Sequence, residues 1–402
     1  MITMKNFLIY ILLIFVSLVY INSSIVYSKV NSNKGIENIR KKKSIFNVTQ
    51  VKWNVQNKIK YFVESSIHSV ESAIKNIENN TCIKFEKQNN RIISGYGINF
   101  VWQSPCGFQF YGHNPNTTPL PQVINISSDC NSIFDIQGLL HNTLMVRNEH
   151  TRSDRDEYIK VIATLADPKD MYRFKIDNAS DTTFFGMAYD YGSMTHFSST
   201  QYADTGKEII TATKYHEHYK RTMGQRVMAT FNDYKLLNYY YCNDTCTSRK
   251  SDCKYDGYQD PNNCTICKCP SGFVGSECQN IAPSSADCGE YGYTANFGVQ
   301  TIFKSGEKDC YFKIVGTSGK KIKITIREMF IFGHDVTSNR ACVEGKGLDI
   351  KYRKSKAPMG LCFCQNVQTL PIEIESEDHV VYLHYRGTYH EHKITIDYQE
   401  IL

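Results

Sequence analysis

An excess of either charge is small in this chain. Lys and Arg number 46 against 40 Asp and Glu, a formal net charge of +6. The excess is spread along the sequence apart from the short run Arg40-Lys-Lys-Lys43, so nucleic-acid binding has no electrostatic footprint. Long apolar runs are scarcer still. Phe7 to Ile21 is the one nearly unbroken run, and its roughly 15 residues fall short of the roughly 20 that cross a bilayer. No other segment is apolar enough to span, so no stable membrane span is expected. No Gly-x-Ser-x-Gly elbow occurs either, which removes one common setting for a nucleophilic serine.

Cysteine, by contrast, is plentiful. Fifteen cysteines in 402 residues point to an oxidising compartment, because a reducing cytosol would not keep them paired. The length implies two or three domains, and 41% apolar against 21% charged residues permits packed cores and excludes wholesale disorder. The N-terminus agrees with export. One Lys precedes the apolar run, Asn22-Ser-Ser24 follows it, and Val26-Tyr-Ser28 offers a cleavage site, so residues 1–28 read as a signal peptide. The competing reading is an uncleaved anchor helix. Residues 29–43 form a short polar pro-segment ending at Arg40–Lys43, which is either a processing site that frees a chain starting near Ser44 or a solvated charge run. Beyond the signal, seven Asn-x-Ser/Thr sequons stand at Asn47, Asn79, Asn116, Asn125, Asn178, Asn243 and Asn263, the last with Cys264 as its spacer. On an exported chain they suggest a glycosylated surface. The expected localisation is secreted and extracellular.

Cysteine density divides the rest. Cys82, Cys106 and Cys130 are sparse, then Cys242, Cys246, Cys253, Cys264, Cys267, Cys269 and Cys278 crowd together. Cys288, Cys310, Cys342, Cys362 and Cys364 are sparse again. The tail Cys267-Lys-Cys269-Pro-Ser-Gly-Phe-Val-Gly-Ser-Glu-Cys278 resembles an epidermal-growth-factor-like (EGF-like) module, a unit too small to bury a core without bridges. That resemblance implies Cys246–Cys264, Cys253–Cys267 and Cys269–Cys278. Beyond it, Lys321-Ile-Lys-Ile-Thr-Ile-Arg327, Leu348-Asp-Ile-Lys-Tyr352, Val380–Tyr385 and Lys393–Tyr398 alternate with period two and predict an antiparallel sandwich. This region is similar to a CUB domain, which implies Cys288–Cys310 and Cys342–Cys364. Cys362 is then left over, either as a free thiol or as an intermolecular link.

The region before Cys242 mixes helix and strand. Val70, Ala73, Ile74 and Ile77 share one face of a predicted helix. Ile136, Leu139, Leu140, Thr143 and Leu144 form the stripe of a buried helix after Cys130, while Lys58–Val63 and Val123–Ser127 read as strands. Three segments here carry a family resemblance. Glu149-His-Thr-Arg-Ser-Asp-Arg-Asp156 resembles the close of the zinc signature of the astacin metallopeptidases. Phe185-Gly-Met-Ala-Tyr-Asp-Tyr-Gly-Ser-Met-Thr-His-Phe197 resembles their Met-turn, and Phe231–Asn238 with Tyr241-Cys242 resembles their closing helix. The resemblance implies an α+β architecture. A two-lobed, metzincin-type astacin-like domain with a central helix occupies 44–242, an EGF-like module 243–280 and a CUB-like β-sandwich 287–400. It also implies Cys82–Cys242 and Cys106–Cys130.

The family signature is H-E-x-x-H-x-x-G-x-x-H, in which two His one helical turn apart and a third after a bend hold Zn²⁺, and the Glu is the general base. Laid on this chain without a gap, it is negative at every chemical position. The metal-ligand positions hold Gly138, Asn142 and Asn148. The base position holds Leu139, the bend glycine Met145, the Met-turn methionine Thr195 and the site tyrosine Phe197. A shift by one residue brings His141 onto the second ligand but puts Gln137 and Gly138 on the first ligand and the base. Asn and Gln oxygens are poor zinc ligands beside imidazole. No metal or other cofactor is therefore expected, although active relatives carry zinc.

Other chemistry fares no better. The chain has 12 His. His216-Glu-His218 is either a two-ligand clamp in an extended segment or a surface loop. His150 and His196 match non-ligand histidines of the family, and His141 reads as a satisfied polar residue near the cleft. Asp154 and Asp156 lie beside Arg152 and Arg155 and read as an ion-pair network. In the family Glu149 receives the mature N-terminus after processing, so its retention implies that the matured conformation is still made. The expected function is a secreted, catalytically inactive metalloendopeptidase homologue, a pseudoenzyme that binds extracellular proteins or glycoproteins through its cleft, EGF-like and CUB-like modules. The alternatives are an active zinc endopeptidase with substitute ligands and a decaying gene product, the latter disfavoured by intact cysteines and sequons.

Overall fold

A computed structural model describes residues 45–114, 119–203, 206–247, 252–333, 341–367 and 369–402. The signal segment, the pro-segment, the Arg40–Lys43 run and the Asn116 sequon lie outside the described residues. Among the described residues no helix is long and apolar enough to cross a membrane.

The first lobe is a five-stranded sheet in the order Phe85–Lys87, Ile59–Val63, Ile98–Trp102, Gln122–Ile126, Gly107–Phe108. The first four strands run parallel and the short edge strand is antiparallel. Ile98–Val101 are buried on both faces, as a central strand of a covered sheet must be, whereas Gln122–Ile126 alternates. Helix α1 (Val70–Asn80) buries the predicted face Val70, Ala73, Ile74 and Ile77 against this lobe. Helix α2 (Ile133–Thr143) starts at Ser132, whose hydroxyl accepts from Asp135 N at 3.1 Å. Its Ile136, Leu140 and following Leu144 are fully buried, while Leu139 is only half-buried. Helix α3 (His216–Tyr219) is a single turn. Helix α4 (Phe231–Tyr241) opens on a capping box between Thr230 and Asp233. Cys82–Cys242 ties the end of α1 to the end of α4, closing a separation of 160 residues, and Cys106–Cys130 ties the edge strand to the start of α2.

The second lobe, between α2 and α4, is mostly irregular, with short 3₁₀ turns and a two-stranded pair, Ile159–Val161 with Ile210–Ala212. The small module that follows holds Cys246–Cys264, Cys253–Cys267 and Cys269–Cys278 around two minimal hairpins. The last domain is a β-sandwich of five and four strands, bridged by Cys288–Cys310 and Cys342–Cys364. Cys362 is a buried free thiol. Burial pushes its pKa well up, so it is neither a nucleophile nor a free intermolecular linker.

Two features depart from the simple alternating sandwich. Gly292–Thr294 pairs parallel with Asp309–Val315. Gly347–Lys351 is buried at every position, including Asp349 and Lys351, because the rest of the chain covers its outer side. The apolar core of the second lobe (Tyr189, Tyr191, Tyr219) runs on into that of the sandwich. Polar contacts pin the same seam: Arg353 Nη1 donates to Tyr189 O at 2.5 Å and Cys342 N to Arg221 O at 2.9 Å. The small module is seated too, its Tyr258 hydroxyl donating to Asn80 O at 3.0 Å.

Candidate functional site

Of the residues that the resemblance assigns to the family's chemical positions, Gly138, Leu139 and Asn142 lie on α2, and Met145 and Asn148 follow its end. Gly138 and Asn142 lie one turn apart on α2, so they share a face. An ideal Cβ on Gly138 would meet only Met194 Cε, at 3.8 Å, so a larger residue has room there. Asn142 is already engaged, its Nδ2 donating to Val146 O at 3.0 Å. The bend that follows is made without glycine. Met145 adopts φ +72° at the C′ position, Val146 N donates to His141 O and Met145 N to Asn142 O, both at 2.9 Å. This is a Schellman closure with a methionine in the left-handed slot. Asn148 stands just beyond, capping the 3₁₀ turn Glu149–Thr151 through its carbonyl, which accepts from Thr151 N and from the Thr151 hydroxyl.

The Met-turn segment packs beneath. Thr195 accepts from Glu149 N at 3.2 Å and shares a hydrogen bond with Ser193, so its hydroxyl ties the turn to the residue after the third ligand position. Phe197 packs on His150 with a tilt of 30° between the rings, whose centroids lie 3.9 Å apart. His150 and His196 are buried, neutral and internally committed. His150 Nε2 donates to Arg173 O, and Nδ1 accepts from Phe197 N. His196 Nδ1 donates to Phe197 O at 2.6 Å, leaving Nε2 to accept from the Tyr189 hydroxyl at 2.7 Å. Burial, reinforced by His196, holds His150 well below the usual imidazole range, and burial brings His196 down to about 4.

His141 corrects one expectation. It is fully buried and only half satisfied: Nδ1 donates to Gln137 O at 2.8 Å, while Nε2 has no partner. Burial lowers its pKa, only partly opposed by Asp233. The pair His216 and His218 is corrected as well. The segment is the helical turn α3, where residues two apart point away from each other. His216 bonds Glu208 at 2.8 Å, and His218 packs on Phe363 of the sandwich. They do not converge.

The expected Arg152–Asp154 and Arg155–Asp156 pairs form, and they extend to partners, Glu149 and Asp190, that the sequence did not connect. Glu149 Oε1 accepts from Arg152 Nη1 at 2.7 Å and from Asp190 N at 2.9 Å, and Arg152 also binds Asp154. Beside them Glu149, Asp190, Asn232 and Asp233 help wall a cavity of about 10 Å³, near the minimum for one water. Asp190 Oδ2 and Asn232 Oδ1 are buried there without partners. Burial, then Asp233 and Glu149, pushes Asp190 up to about 7. Its other oxygen accepts from Gly192 N at 3.0 Å and from Met359 N of the sandwich at 3.2 Å.

The sequence profile of the astacin peptidase family matches residues 41–242. The chain belongs to the astacin family. Among curated relatives it is similar to the zinc metalloproteinase nas-34 of Caenorhabditis elegans, at 28% identity over 367 residues, covering 89% of this chain and 57% of that protein. It is also similar to the zinc metalloproteinase nas-36 of Brugia malayi, at 34% identity, covering 59% of this chain and 40% of that protein. The chain thus spans about half the length of the curated relatives it matches. Among solved structures, the hatching-enzyme zinc protease HCE-1 of Oryzias latipes matches 48% of this chain and 96% of its own, with a TM-score of 0.42 and 23% identity.

Family membership implies zinc, and the donor set at these positions does not fit it. Gly138 offers no side-chain donor atom, and Asn142, whose Nδ2 donates to Val146 O, offers only a neutral amide oxygen. Asn148 contributes a neutral carboxamide where imidazole is needed. Leu139, beside Gly138, has no group that accepts a proton. Among the described residues no three His, Cys, Asp or Glu side chains gather in a way that holds a metal ion.

Proposed function

We propose that this astacin-family chain is a secreted pseudopeptidase, which keeps the family scaffold and uses it, with its EGF-like and CUB-like modules, to bind extracellular proteins or glycoproteins. The observation that carries this reading is the donor set on α2 and just past it, where Gly138, Leu139, Asn142 and Asn148 stand in place of the groups the chemistry needs, while the bend itself is still built at Met145. Seven disulfides fit an oxidising compartment. Exposed sequon residues at Asn47, Asn79, Asn178 and Asn243 suit a glycosylated surface, whereas Asn125 sits half-buried in a strand paired on both sides.

The start of the scaffold also favours a matured conformation. Ile45 is fully buried, bridges to Val146 and pairs with Thr183, while Phe46 N donates to Met145 O at 3.1 Å. The chain near the proposed processing point is thereby fastened to the bend.

Metal stoichiometry of the purified protein tests the proposal. The parent is expected to hold no zinc after dialysis. A variant carrying Gly138→His, Leu139→Glu, Asn142→His and Asn148→His is expected to bind about one, because Gly138 has space for a side chain. Zinc at about one per chain in the parent, or a parent with zinc-dependent peptidase activity, would instead establish an enzyme with substitute ligands.

A further inference from the structure

The sandwich carries a buried ionic bridge under the small module. His384 is 6% exposed and lies between two carboxylates: Nδ1 is 3.2 Å from Asp349 Oδ2 and Nε2 is 2.6 Å from Asp309 Oδ1. A carboxylate only accepts, so both ring nitrogens must donate, and the ring is an imidazolium. Tyr311 stacks flat on it, 4.0 Å away with planes 5° apart, a further contact that favours the charged ring. Asp309, with its side chain 44% exposed, connects the bridge to solvent.

The bridge forms part of the seat of the small module. A cavity of about 20 Å³ separates Ser271, Gly272 and Ile281 of that module from Tyr311, Asp349 and His384 of the sandwich. An ideal Cβ on Gly272 would lie 3.7 Å from the Tyr311 ring, and Phe273 packs on Tyr382 with ring centroids 4.4 Å apart. Asp349 Oδ1 is buried without a partner. We propose that the Asp309–His384–Asp349 bridge is a proton-controlled latch: protonated, it holds the small module against the sandwich, and deprotonated, it loosens that junction. This is independent of whether the cleft binds zinc.

The surrounding charges set the direction. The strand of Asp309 also presents Tyr311, and the strand of Asp349 also presents Lys351. Glu344 is paired with Lys351, whose Nζ also donates to Pro358 O at 2.9 Å, so that cation is already committed. Cys362 faces Asp349 from the neighbouring strand as a neutral thiol. The strand of His384 adds Tyr382 and Arg386. The module's share of the cavity wall, Ser271, Gly272 and Ile281, brings no titratable group. A neutral imidazole donates from one nitrogen only, so the other would face a carboxylate lone pair beneath the module. Burial lowers the His384 pKa, but its bonds and attraction to Asp349 and Asp309 outweigh burial and raise it. The latch is therefore fully closed below the ordinary value near 6.5 and is lost as pH rises through the raised one.

Hydrogen–deuterium exchange on the whole secreted protein between pH 5.5 and 9, corrected for intrinsic rates, tests this. Segments 270–283 and 309–315 are expected to open roughly tenfold more at high pH for each unit by which the ring's pKa exceeds its free value. Exchange of the His384 C2 proton, followed by mass spectrometry, is expected to give a pKa above 6.5. His384→Gln is expected to flatten the pH dependence and Asp349→Asn to move its midpoint down. Should a variant fail to fold, the two wild-type measurements decide alone. Flat protection across the range, a ring titrating at or below its free value, or an unchanged pH profile in His384→Gln would overturn the proposal.

Discussion

Met145 offers the sharpest test of the physical account, because two effects of known sign compete at one residue. Its φ of +72° costs a side-chain-bearing residue about 1–2 kcal/mol relative to the right-handed region. Its side chain is fully buried, and the Tyr240 hydroxyl donates to its sulfur at 3.5 Å. Truncating a buried methionine to alanine costs about 2–5 kcal/mol. Met145→Ala keeps the strain and loses the packing, so the full penalty is expected. Met145→Gly loses the same packing but removes the strain, and glycine's extra freedom in the unfolded chain returns part of that gain. The glycine variant is therefore expected to be the more stable of the two by about 1 kcal/mol, with both below wild type. Urea unfolding with disulfides intact, comparing midpoints at equal slopes, measures this. An alanine variant equal to or better than the glycine variant would refute the strain. A glycine variant above wild type would show that packing does not hold the methionine in place.

Asp190 predicts a pH dependence. Since the folded protein raises it from 3.8 to about 7, stability is expected to fall as pH rises through that window, by up to about 4 kcal/mol, and to level off above it. Asp190→Asn should remove the slope; an unchanged slope in unfolding free energy would assign it to other groups. Gly192→Ala places a Cβ 2.5 Å from Met359 Sδ and 2.9 Å from Met359 Cβ, so the sandwich must shift away from the Met-turn. A loss of about 1–3 kcal/mol is expected, with raised proteolysis around 353–359, and unaltered protease resistance would show that the seam tolerates the added volume.

Much of the fold could be read from local pattern. Period-two alternation located Lys321–Phe330 and Lys393–Ile401, because each has one face on the core and one toward water, and it located Val380–Arg386 although Val381–Tyr385 are buried on both faces. The α1 stripe was equally legible. Pattern misled where a second layer covers an element, as at Gly347–Lys351, or where an isolated helical turn replaces a loop, as at His216–Tyr219. The candidate site divides in the same way. That Gly138 and Leu139 carry no ligand or proton-accepting side chain, and that Asn142 and Asn148 carry neutral amides, is a matter of residue identity and could be read from the sequence alone.

Which polar groups are left without partners depends on what meets them in space. His141 Nε2, Asp190 Oδ2 and the Asp309–His384–Asp349 bridge all join residues far apart in the chain or hide them from water. Residue identity and spacing set what chemistry this chain can offer. Tertiary contact alone decided which of its charges are buried, which are paired, and therefore which respond to pH, because desolvation and pairing belong to the assembled surroundings and not to the residue.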